Sequence, residues 1–315
     1  MNILNSALIL ASLVTAQTHA TGQPKQEIKG QSAPVVVVGR TVTREKAVRR
    51  LVNRMTSMTS GQVARFSTSL CFGVDGFIPP HDETVRRRME EDAKAANLRV
   101  RDGCKPNVMV ILVDNGREVL RTLYREKPAL FLDLNSNDRR NLLEEPGPVH
   151  VMTITDLRSS EGRLPTKTPP PGVVIAGASY YLPVQTASII NVPMRQDIIS
   201  SMILIDKSAT LGKSLRQIAD YAAMRTLARL RGADVVTSEP TILGLFTRDG
   251  ANPPKGLTTF DQHYLRGLYA GDANREGYAK AADIARKINA GIRKEVDVPR
   301  GVSSNADRAK KHAGD

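Results

Sequence analysis

Apolar stripes at helical spacing, interleaved with short runs rich in β-branched residues, dominate the pattern along this chain. Val48, Leu51, Val52 and Met55 form the first stripe, and Thr43 stands where a cap belongs, which predicts a helix through residue 56. Val85, Met89, Ala93 and Ala96 form a second, with Glu90, Glu91 and Asp92 expected to face water. Residues 115–126 read as a third helix. The pattern is strongest over 211–231, where Leu215, Ile218, Ala219, Ala222, Leu227 and Leu230 define a buried face and Gly232 is placed to cap the end. Thr258 and Asp261 open another helix as a capping box, with Phe260, Tyr264, Leu265 and Leu268 buried and Gly271 as its stop. Ala281, Ile284, Ala285, Ile288 and Ile292 mark a last helix over 275–293.

Strands are expected at 34–38 (ending at Gly39), 107–113, 149–155, 173–176, 188–192 and 198–205. Between them, residues 157–172 carry Gly162, Pro165 and the triplet Pro169-Pro170-Pro171, and read as a long loop. This order predicts an α+β fold, a mixed sheet packed with helices. An N-terminal α/β region (34–156) precedes the Pro-rich loop, and a C-terminal region (173–295) follows it. The polar stretch 21–33 and the basic tail 296–315 are expected to be disordered.

The apolar run from Ala7 to Val14 is too short to span a bilayer, which needs about 20 residues. It is followed by two small-residue exits, Val14-Thr15-Ala16 and Thr18-His19-Ala20, so residues 1–20 read as a signal peptide although no Lys or Arg precedes the run. The mature chain is then periplasmic or secreted, with no transmembrane segment once the signal is removed. Export changes the reading of Cys71 and Cys104, the only cysteines. Their spacing suits neither a redox pair nor a metal knuckle, and in an oxidising compartment an even count favours a structural disulfide around the second helix.

A hydrophobic fraction of 41% suffices for a sizeable core, which must rest on aliphatic residues because Trp is absent. The net charge of +13 points to acidic partners, and for an exported protein anionic envelope polymers stand ahead of nucleic acid. Part of that charge is local, in Arg86-Arg87-Arg88 on a helix and in Arg308, Lys310 and Lys311 of the tail.

Catalytic motifs are absent from the sequence. The mature histidines His81, His150, His263 and His312 make no local zinc motif, and there is no nucleophile elbow, phosphate loop or dinucleotide fingerprint. Ser179 lacks the elbow's second glycine, and Glu144 and Glu145 adjoin Pro146 at a helix end, where a solvated turn explains them.

The segment 198–271 does resemble the core of zincin-type metalloproteases, and a group of exported bacterial proteins related to them. The resemblance lies in the order of strand, long helix, Thr241-Ile242-Leu243 turn and closing helix, and most specifically in Leu257-Thr258-x-x-Asp261 with Leu268-Tyr269 and Gly271. In active zincins the long helix carries HExxH and the turn carries Ser-x-Met. Here the matching stretch is Ala219-Asp220-Tyr221-Ala222-Ala223, with Leu243 at the methionine's place. Ala219 and Ala223 cannot ligate zinc, and Asp220 is shorter than the glutamate that activates water. The resemblance therefore implies a catalytically silent scaffold without metal or cofactor, which holds a protein or peptide partner. Otherwise the half is an unrelated α+β domain, with Asp220 as an exposed acid beside Arg216. Capture of anionic envelope polymers is the alternative function. An enzyme whose site assembles from distant residues is the third, and whether Asp220, His150 and His263 meet in one cleft bears on it.

Overall fold

The computed structural model describes residues 38–297, apart from 133, 168–179, 183, 185–191, 232–238 and 248–252. The expected signal peptide, the polar stretch 21–33, residues 34–37 and 173–176, most of 188–192, Ser179, the expected cap at Gly232 and the basic tail from 298 lie outside the described residues.

The first described element is helix α1 (Val38–Met55). Val38 and Gly39 are already helical, so the strand expected to reach Gly39 does not do so, and Thr43 lies inside the helix rather than at its cap. A β-branched run carries no period that separates a strand from a helix start. The stripe itself is where it was expected, with Val48, Leu51, Val52 and Met55 all buried. Two short strands follow as a hairpin, β1 (Met58–Thr59) and β2 (Gln62–Val63), joined through Ser60 and Gly61, both in the left-handed region. Then come β3 (Arg65–Phe66), β4 (Phe72–Asp75), α2 (His81–Ala95), β5 (Val108–Val113), α3 (Gly116–Glu126) and α4 (Ser136–Glu144). The chain continues with β6 (Val149–Ser159), β7 (Met194–Asp206), α5 (Leu215–Leu227), α6 (Thr259–Tyr269) and α7 (Gly277–Asp297).

The sheet is mixed, and the fold is α+β. Strands β4, β5 and β7 are parallel neighbours, and β3 pairs in parallel with Asp197 and Ile198 of β7. Strand β6 runs antiparallel along β7 from Val149 opposite Ile205 to Ser159 opposite Met194. Because β6 pairs with β7 across the stretch that β3 and β5 also use, it occupies the opposite edge. The first and second halves of the sequence thus share one sheet. The expected loop also begins later than residue 157, since Leu157, Arg158 and Ser159 complete β6.

Alternation along the strands divides the interior in two. Val108, Val110, Ile203 and Ile205 join the main core with α1, α2, α5, α6 and α7. Met152 and Leu204 turn to the other face, under Leu120 of α3, Phe131 and Leu142 of α4. Two expectations need correction on the helices. Glu90 and Asp92 are buried, because Asp92 lies three residues after Met89 on the face that α2 turns to α5 and Glu90 is held by Arg86. Helix α5 starts at Leu215, where Ser214 and Gln217 make a capping box, and not at Leu211, which is 78% exposed. Gly212 has φ +75°, which interrupts any helix at that point. The helix ends at Leu227 instead of continuing to 231, because the chain extends at Ala228 and pairs with the end of α1 through Ser57 N–H to the Arg229 carbonyl and Arg231 N–H to the Met55 carbonyl.

Cys71 and Cys104 form a disulfide with Cα atoms 6.0 Å apart, which closes the loop that contains α2. A loop of this length is worth about 4 kcal/mol in the chain-entropy description. The Cys71→Ala, Cys104→Ala double variant is accordingly expected to lose about that much in urea unfolding, and wild-type protein in strong reductant should match it. Identical midpoints with and without reductant would remove the stabilising role.

Candidate functional site

The residues singled out from the zincin resemblance are packed in the interior. Ala219, Asp220 and Ala223 are fully buried in α5, and Leu243 is buried in the 3-10 turn Ile242–Phe246. Asp220, expected to be exposed, is a structural acid. Its carboxylate accepts from Arg88 Nε at 2.6 Å and Nη2 at 3.2 Å, and from the backbone N–H of Leu257 at 2.6 Å, while Arg216 Nε stands 3.9 Å away. Arg88 also reaches Asp92 at 2.9 Å. Burial, and then the nearby Asp220 carboxylate, push the Asp92 carboxyl up to about 8, while the two acids hold Arg88 charged.

His150 lies on β6 opposite Leu204, buried, with its ring against Gly116 and near Asp206. Neither ring nitrogen has a hydrogen-bond partner among the described residues, and burial lowers its pKa. His263 is half-buried on α6 against Gly291 of α7, and burial followed by Arg266, Lys287 and Lys294 lowers its pKa. Asp220 packs against α2 and the Gly256–Leu257 segment. The three candidates have different neighbours, and they do not converge. Among the described residues no group of three or more His, Cys, Asp or Glu side chains is placed to hold a metal ion.

The Thr241 turn is fixed to α6 by Asp261. This fully buried carboxylate accepts from Thr241 Oγ1, from Ile242 N–H at 2.8 Å and from Thr258 N–H at 3.0 Å, with Thr258 Oγ1 at 2.9 Å. Burial raises its pKa and these donors pull it back down. The arrangement explains why Leu-Thr-x-x-Asp matters here: the acid is both the capping-box partner of α6 and the anchor of the preceding turn.

A concave site among the described residues lies elsewhere. A cavity of about 600 Å³ opens between α4, the edge strand β6 and the end of α5. Leu134, Leu142, Met152 and Leu230 give it apolar walls, and Arg225, Arg229, Arg231, Asp138, Glu144 and Glu145 supply charge. Arg229 is paired with Asp138 and also bonds Thr59 Oγ1. Arg225 is only 5% exposed and has no hydrogen-bond or ion-pair partner among the described residues. The sequence held a signal for it. Arg225 falls three residues after Ala222 and seven after Ile218, on the apolar stripe of the longest amphipathic pattern, where a charge has to find a partner or a cavity. Glu144 and Glu145, read as a solvated turn, end α4 as expected and form part of this rim. Comparison with protein-family models, with curated proteins and with solved structures gives no match to this chain.

Proposed function

We propose that this chain is an exported, catalytically silent scaffold of zincin-like build that holds an extended segment of a protein partner in the cavity beside β6. The observation that carries this reading is the edge strand itself. Among the described residues no strand pairs with the outer side of β6, and its Val151, Met152 and Thr153 line the cavity. An extended peptide can add to such an edge through main-chain hydrogen bonds, with side chains entering the neighbouring hollow. The order antiparallel edge strand, β7, α5, Thr241 turn and α6 supports the zincin-like reading.

Export is supported by the short apolar run and by the disulfide, and no described helix is long and apolar enough to cross a membrane. The polymer-binding alternative has less behind it. Arg86 and Arg88 of the basic triplet are held by Glu83, Glu90, Asp92 and Asp220, so the triplet is not a free cationic patch.

Selection of peptides from a displayed library against the disulfide-intact chain tests the reading, with intact mass of the native protein reporting cleavage after Ala16 or Ala20. Selected peptides are expected to slow amide exchange of the β6 residues 151–153 by at least about tenfold. Protection confined to another surface, or a native mass that retains the first twenty residues, would sink the corresponding half of the proposal.

A further inference from the structure

The geometry points to a carboxylate-binding site in the cavity, anchored by Arg225. This deepens the peptide-binding reading and rests on it for the source of the carboxylate. Arg225 is a built feature rather than a surface charge: it is 95% removed from solvent, it lines the cavity, and no described residue neutralises it. A buried, uncompensated guanidinium costs several kcal/mol unless an anion meets it. The nearest charged neighbours do not fill that role. Asp138 is taken by Arg229, Glu144 is exposed at the end of α4, and among the described residues no ion pair or hydrogen bond joins Glu145 to Arg225. The buried end of the cavity therefore holds one positive charge in excess.

A single planar carboxylate satisfies this surplus. The guanidinium fork can donate two parallel N–H bonds to its two oxygens. A dianionic phosphate brings a second negative charge beyond that of Arg225 into a cavity whose other charges, Arg229 and Arg231 against Asp138, Glu144 and Glu145, already lean negative, and is disfavoured there. The apolar wall of Leu142 and Met152 lowers the local dielectric and strengthens the pairing. Two sources share this chemistry, the carboxyl terminus of an extended peptide lying on β6 and a free small organic acid.

Titration calorimetry of the full chain tests the site with four probes: a short β6-binding peptide as the free acid, the same peptide as its carboxy-terminal amide, acetate, and inorganic phosphate. The free acid is expected to bind at least about tenfold more tightly than the amide, a difference of about 1.4 kcal/mol. That advantage should vanish in Arg225→Met and fall in Arg225→Lys, which keeps the charge but not the fork. Thermal melts confirm folding of both variants, and the lysine variant keeps the test open if the methionine variant does not fold. Acid and amide binding equally well overturns the carboxylate site while leaving the peptide reading intact. Acetate binding that depends on Arg225, with no peptide binding, upholds the site and assigns it to a small acid. Phosphate binding more tightly than every carboxylate overturns the monoanion assignment.

Discussion

Replacing Asp261 by Ala is expected to destabilise the protein by about 3–5 kcal/mol, from several donors left without an acceptor at about 1–3 kcal/mol each, partly offset by relief of the buried carboxylate. The estimate follows from what the carboxylate holds. The backbone N–H groups of Ile242 and Thr258 and the Thr241 hydroxyl all donate to it, and each becomes a buried or half-buried donor without an acceptor when the side chain is cut back. The turn at 241–243 and the first turn of α6 lose their common anchor together. Asp261→Asn keeps one acceptor oxygen but points an amide NH₂ at donors, so it should recover only part of the loss. Urea denaturation followed by far-UV circular dichroism measures both. A loss below about 1 kcal/mol for the alanine variant, the worth of one ordinary hydrogen bond, would show that water or a shifted backbone replaces the carboxylate.

The difference between what was legible in the sequence and what was not follows from distance along the chain. The core stripes of α1, α2, α5, α6 and α7 could be read because a helix repeats its buried face every three or four residues. The capping box of Thr258 and Asp261 is equally local. Helix ends were less legible where a tertiary partner sets them: α5 stops at Leu227 because the following residues pair with the end of α1, far earlier in the sequence. Burial of Asp92 and Asp220 arises only when α2 and α5 pack together: Arg88 and Asp92 stand one turn apart on α2, but Asp220 reaches them from α5. Arg225 shows the opposite case. Its place on an apolar stripe was visible, but the cavity that justifies it needs α4 and β6, which no periodicity brings together.

Loss of the Asp220 carboxylate is the second large effect expected, and it has a pH signature that a simple packing defect lacks. In Asp220→Ala the buried N–H of Leu257 loses its acceptor and Arg88 loses its bidentate partner, at a combined cost of about 3 kcal/mol. The cost stays toward the lower end of the range for broken buried pairs because Asp92, 2.9 Å from Arg88, takes over as counter-ion. In the wild-type protein Asp92 is pushed up to about 8 by burial and by Asp220, against an ordinary value of 3.8. The folded state therefore holds a proton that the unfolded chain has released above pH 4, so this group makes stability fall as pH rises from about 4 to about 8. Removing Asp220 deletes the like charge, lowers the Asp92 carboxyl toward its ordinary range and flattens that slope. Unfolding midpoints at pH 5 and pH 8 for wild type, Asp220→Ala and Asp92→Asn read the effect. The wild type should lose more stability across this interval than either variant. Parallel pH profiles for all three would mean that Asp220 does not raise the Asp92 carboxyl and that Arg88 neutralises both acids.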